Sequence, residues 1–227
     1  MLQNMTEGEP LKLILPFMVP LLIGNVFQQL YNIADVVIVG RTIGVEALAA
    51  VGSVTPLFMM TMVLTIGLSN GCTVVTGQRY GAGDMDGMRR SIGTCTVLSV
   101  LFTLLIMLVF HIIIDPALVL MNIPLELLED AKAYVMIIVD GLFAMMGYNL
   151  LSGIMRSLGD SKTPLYFLIV SSVVNIALAL FFILVLGWGV PGSAVALVIA
   201  QAISAILCLA YIYKRFPQLH ISRKDFR

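Results

Sequence analysis

Four polar side chains near the start of the chain are spaced to share one helix face. Asn25, Gln28, Asn32 and Asp35 follow one another at intervals of three, four and three residues. At about 100° per residue they fall within an arc of roughly 80°. They occupy the second half of an apolar run that begins at Leu11. A carboxylate deep in a membrane helix costs about 2.5–3.5 kcal/mol on insertion scales, so Asp35 is expected to face a cavity. Two readings are open for the amides: contacts to a ligand, or hydrogen bonds between helices. A second acid, Asp140, lies about fourteen residues into the fourth apolar run, roughly 21 Å from its outer end. One continuous helix would put it on a face with Met136, Phe143 and Gly147.

Other candidates are weaker. Ser171 and Asn175 stand one turn apart, with Ala179 where a third polar group would complete the row. Thr61, Thr65, Ser69 and Thr73 recur at steps of four, and such hydroxyls either line a cavity or bond back to their own helix. His111 is expected at a solvated helix end and His220 in a basic tail, so neither a zinc site nor a catalytic histidine is expected, and no cofactor. Cys72, Cys95 and Cys208 lack metal-type or disulfide-type spacing and read as packing residues. The glycines of GQRYGAGD follow a membrane helix rather than a strand, which makes a tight turn and not a nucleotide loop.

The elements that position these residues are membrane helices. The chain is 59% hydrophobic and 11% charged with zero formal charge, and its mean hydropathy is +1.02. That composition excludes a soluble domain and a field for nucleic acid. Six runs are long enough to span a core of about 30 Å, near residues 11–39, 46–76, 88–114, 126–153, 163–187 and 190–213. They form an all-α membrane lobe over 11–213, with a short cytoplasmic segment at 1–10 and a basic tail or linker at 214–227. Of the 13 Lys and Arg residues, 11 fall in segments on the side of the termini and only Arg41 and Lys132 on the other. This places both termini in the cytoplasm and the lobe in the plasma (inner) membrane. The first ten residues carry no basic region before the apolar run, which argues against a removed signal peptide. Trp188 reads as an interfacial anchor, Thr163 and Pro164 as the N-cap and first residue of helix 5, and the connection around Asp115 to Pro124 as the one irregular outer loop. Pro16 and Pro20 each remove a backbone donor from helix 1, and Pro20 makes a bending point about four turns before Asp35.

Pro20 with Asp35, LAAVGSVTP after Gly40, GQRYGAGD, RSLGDSKTP, and Asn175 followed by GWGVPGSA occur in an order that resembles the N-terminal lobe of a multidrug and toxic compound extrusion (MATE) antiporter. The resemblance runs through nearly the whole chain. It implies one lobe of a two-lobe transporter that exchanges a proton or sodium for organic, often cationic, drugs. It assigns Asp35 to the coupling acid, Pro20 to the hinge of helix 1 and Asn175 to the helix 5 ion site. Two positions depart from the family pattern: Ala179 stands for a common aspartate and Leu197 for a common threonine. The missing oxygens favour a proton over sodium, since hard cations need several oxygen ligands, and Asp140 is the candidate to compensate by pairing with Asp35. Substrate is expected against Asn25, Gln28, Tyr31, Asn32, Met136 and Phe143. The family continues into a second six-helix lobe, so the expectation is either a piece of a longer chain or a half that pairs with another. The alternatives are a transporter resembling a lipid-linked oligosaccharide flippase, or a non-transporting lobe that only binds a partner. No nucleophile–base constellation suggests an enzyme.

Overall fold

The computed structural model describes residues 9–216, so the N-terminal segment and the basic tail with His220 lie outside the described residues. The described chain is helical: α1 (Pro10–Thr42), α2 (Val45–Ser53), α3 (Thr55–Gly81), α4 (Met85–Leu120), α5 (Leu125–Asp140), α6 (Leu142–Ser157), α7 (Lys162–Leu180) and α8 (Gly189–Arg215). A π-helical turn, Phe181–Val185, extends α7. Five helices are long and apolar enough to cross a membrane, and α5 with α6 makes a sixth span bent by 45°.

The expected six spans are therefore present, but two of them are broken. The second run splits at Val54 because Pro56, at the start of α3, cannot donate to the Gly52 carbonyl and its ring crowds that carbonyl. The Val54 carbonyl instead accepts from the amides of Leu57 and Phe58 at 3.0 and 3.1 Å. The fourth run bends at Gly141, where Val198 of α8 fills the space that a Cβ would need. Close helix approach, rather than a turn signal, sets that bend. The break also divides the face proposed for Met136, Asp140, Phe143 and Gly147. The irregular outer loop is shorter than expected, since α4 runs on through Pro116 to Leu120. Buried Ile114 and Leu118 hold this extension to the core, and Asp115 pairs with Lys132 of α5.

Helices α3 and α8 pack on either side of α6, α7 lies along α8, and α1 lies along α7. One core fills the outer half, where Val39, Val54, Phe110 and Leu142 meet. A second, with Cys72, Met88, Cys95 and Phe216, fills the other end. All three cysteines are free and buried, as packing residues should be. The hydroxyl row of α3 is spent on its own backbone: Thr61, Thr65, Ser69 and Thr73 each donate to the carbonyl four residues back at 2.8–2.9 Å.

Two aspartates start helices. The Asp84 carboxylate accepts from the Gly87 amide at 2.8 Å and pairs with Arg79 at 2.9 Å, opening α4. Asp160, not Thr163, caps α7. Its oxygens accept from the Thr163 amide at 3.0 Å, the Thr163 hydroxyl at 2.7 Å and Tyr211 Oη at 3.2 Å. The Thr163 hydroxyl is thus a donor to the cap.

Gly141→Ala is expected to cost about 1–3 kcal/mol of stability by forcing α5–α6 off Val198. Gly71→Ala, where no atom stands near the new Cβ, should leave the lobe unharmed. Thermal unfolding of the two variants in detergent compares them directly. The Gly87 amide, and after it Arg79, hold the Asp84 carboxyl below its ordinary value. A carboxyl lowered in the folded state stabilises fully above its ordinary pKa of about 4, and the gain is lost as pH falls through the lower folded value. The stability difference between wild type and Asp84→Ala should therefore be present at neutral pH and shrink under acid.

Candidate functional site

Asp35 lies inside the bundle, where α1 meets α8. Ser193 of α8, itself fully buried, donates its hydroxyl to the carboxylate, with its Oγ at 3.1 and 3.2 Å from the two oxygens. The field of Asp35 also reaches the buried Tyr134 of α5. No Lys or Arg pairs with this acid among the described residues. Sequence reasoning missed Ser193, although GWGVPGSA placed it at the start of helix 6. Asn175 on α7 is buried, and both its amide atoms lack a hydrogen-bond partner among the described residues. The two departures from the family pattern are filled with packed apolar groups: Ala179 contacts Phe182 and Ala196, and Leu197 belongs to the outer core.

The polar stripe of α1 divides. Asn25 and Gln28 line a cavity of about 340 Å³ enclosed by α1, α3, α6, α7 and α8, with Pro20 and Gly24 on the same wall. Asn32 points elsewhere: it is exposed, donates to the Gln29 side chain at 3.2 Å and lies in a shallow groove with Ile33 and Val36. The side chain of Tyr31 is outside the described ones. Asp35 is about 10 Å further along α1 than Gln28.

Three other candidates leave the site. Met136 packs against the outer core. Phe143 lines a larger cavity, about 610 Å³, between α4, α6 and α8. That cavity is mostly apolar; its Thr96 and Thr103 hydroxyls bond back to their own helix, and Ser99 is the lining hydroxyl left without a partner among the described residues. Asp140 does not join Asp35. More than half exposed, it stands 3.5 Å from Nε2 of His111 on α4, whose Nδ1 faces the Met107 carbonyl at 2.9 Å. Asp140 follows Tyr134 by six positions on α5, about 240° around the helix, which turns it away from the side of Asp35. A carboxylate pair is thus not formed, and His111 is a partner of Asp140 rather than a merely solvated end.

The cavity recruits groups that sequence reasoning passed over: Asn70, Tyr148, Asn149, Arg156 and Gln201. Asn149 and Arg156 are seven residues apart and so share a face of α6. That interval was readable, but Arg156 was counted as a loop charge and Gln201 was hidden in the apolar run of helix 6. Among the described residues no cluster of His, Cys, Asp and Glu is placed to hold a metal ion. What the site can do is bind an organic molecule beside a protonatable acid.

Comparison with known proteins agrees with this architecture. The MatE family profile matches residues 20–181. The probable multidrug resistance protein YoeA of Bacillus subtilis is 36% identical over 213 residues, covering 91% of this chain and 46% of that protein. A crystal structure of MATE in the bent conformation superposes with a TM-score of 0.91 at 31% identity, over 99% of this chain and 50% of that one. An inward-facing conformation of a multidrug resistance MATE family transporter of the MOP superfamily superposes less closely, with a TM-score of 0.82 at 31% identity over 88% and 46%. The chain spans about half the length of the curated relatives it matches. It belongs to the MatE family, and its fold is one six-helix lobe of the two-lobe MATE transporter.

Proposed function

We propose that this lobe carries the ion-coupling half of an efflux antiporter for organic compounds, working with a second six-helix lobe. The observation that carries the reading is the isolation of Asp35, an acid inside the bundle whose one hydrogen-bonding neighbour among the described residues is a serine hydroxyl. A hydroxyl donates to a carboxylate and accepts from a carboxylic acid, so Ser193 serves both charge states. A sodium ion would find three oxygens here, two from Asp35 and one from Ser193, and apolar side chains at Ala179 and Leu197. The proton is therefore the better coupling ion. Asn175, with an unspent amide, is the remaining candidate in the coupling region.

Protonation removes a charge from α1, and α1 is built to respond. Pro16 and Pro20 lie inside it and leave the Lys12 and Pro16 carbonyls without their helical donors. Pro20 also lines the cavity, so a bend there would move Asn25 and Gln28 relative to α6. The proposed cycle loads substrate in the cavity, protonates Asp35 from outside and releases substrate as α1 bends. The excess of Lys and Arg on the side of the termini supports a cytoplasmic location for both ends and a plasma-membrane setting.

Everted vesicles containing the native protein test the coupling. Asp35→Asn should lower proton-driven efflux at least about tenfold, with drug binding retained, and Asp35→Glu should recover part of it. Efflux that survives a protonophore, or Asp35→Asn at wild-type rate, would sink the proposal. Pro20→Ala restores a helical donor and should slow turnover several-fold with little change in substrate affinity, measured as a kcat-against-KM split.

A further inference from the structure

The cavity that holds Asn25 and Gln28 contains one formal charge, and it is positive. Arg156, half-buried near the end of α6, lines it together with Asn149 of the same face. No carboxylate lies within ion-pair distance of Arg156 among the described residues, and no hydrogen bond engages its guanidinium. The nearest acid in sequence, Asp160, spends its oxygens on the Thr163 amide, the Thr163 hydroxyl and Tyr211 and makes no direct ion pair with the arginine. A guanidinium stays charged at every physiological pH, and a charge walled by protein without a counter-ion is costly. A second group in the same cavity is also unspent: the buried Gln201 Oε1 has no donor.

We infer that this cavity recognises an organic acid, with Arg156 holding the ligand's carboxylate and Gln201 Oε1 accepting from an N–H or O–H of the same molecule. The planar fork of an arginine matches a carboxylate bidentately. The apolar body of the ligand lies against Met62, Ile66 and Met145, and a volume of about 340 Å³ suits a drug-sized molecule. The inference rests on the transporter reading for its biological meaning, and it narrows the substrates from cations to acids and zwitterions. Two unspent groups of opposite hydrogen-bonding character favour an amphoteric ligand over a simple cation, for which the cavity holds no carboxylate.

The test is equilibrium dialysis of the native protein, purified in detergent, against norfloxacin and its decarboxylated counterpart. The two probes share an amine and an aromatic body and differ in the carboxylate. Wild type should bind norfloxacin at least about tenfold more tightly. Arg156→Gln should abolish the preference while leaving the decarboxylated probe within about twofold of wild type, and Arg156→Lys should keep part of it. Asn149→Asp, which sets a carboxylate on the same face of α6, should abolish the preference by repulsion with the arginine intact. It also decides the matter if Arg156→Gln does not fold. Equal binding of the two probes by wild type, no binding of either, or a preference that survives both Arg156→Gln and Asn149→Asp overturns the inference. Displacement of norfloxacin by phosphatidylglycerol and not by benzoate assigns the arginine to a lipid headgroup and overturns the free-acid assignment. Dialysis needs no ion gradient, so failure of the efflux proposal and failure of this one are separately visible.

Discussion

Inside a bilayer a polar atom has only the protein to bond with, and that constraint orders this lobe. Most of its intramembrane hydroxyls are discharged locally. The row from Thr61 to Thr73 donates to the backbone of its own helix, as do Thr96 and Thr103 on α4. Once those are subtracted, few polar groups remain uncommitted among the described residues. Ser99 and Asn175 are buried without partners, Asp35 keeps the Ser193 hydroxyl, and Arg156 and Gln201 face one cavity.

The same constraint explains how the helices come close enough to close the bundle. At Gly141 the approach of Val198 leaves no room for a Cβ, and at Gly153 the Thr73 hydroxyl occupies that space. Without a hydrophobic force between helices in lipid, such close contacts supply the dispersion that holds them together. The bend of the fourth span follows from one of these contacts. Its consequence is that Met136 and Asp140 on α5 no longer share a face with Phe143 and Gly147 on α6.

Much of the architecture was legible because apolar runs of spanning length have few other fates. The six spans and the buried cysteines followed from hydropathy and helical period. The failures have a common physical source, which is that period alone does not tell where a helix stops or what its neighbour offers. Asn32 fits the stripe of Asn25 and Gln28 by angle, yet its side chain is exposed and bonds to Gln29 of its own helix. Asp140 was joined to Asp35 to replace the oxygens missing at Ala179 and Leu197, yet it lies beside His111 of α4; the continuous helix assumed for its face with Phe143 and Gly147 ends at Gly141. Ser193 and Gln201 were invisible as site residues because each is a lone polar group in an apolar or small-residue setting, given meaning only by the helix across from it. Arg156 was discounted because it stands near a loop, although its side chain turns back into the bundle.

The position of α1 ties chemistry to motion. It is the span with the smallest share of buried residues in its apolar window, 6% against 22–28% for the other four unbroken spans. Its packing on α7 includes Gly24, which stands against Leu165 and Leu168. An element with few buried contacts is displaced at low cost. Two prolines have already removed donors from its ladder. Asp35 therefore sits on α1, while Arg156 and Asn149 sit on α6, packed between α3 and α8. In the proposed cycle a change in the charge of Asp35 would act on the α1 wall of the cavity, and the groups proposed to hold an anion belong to the α6 wall. Relative movement of those two walls alters a ligand's contacts without disturbing the core.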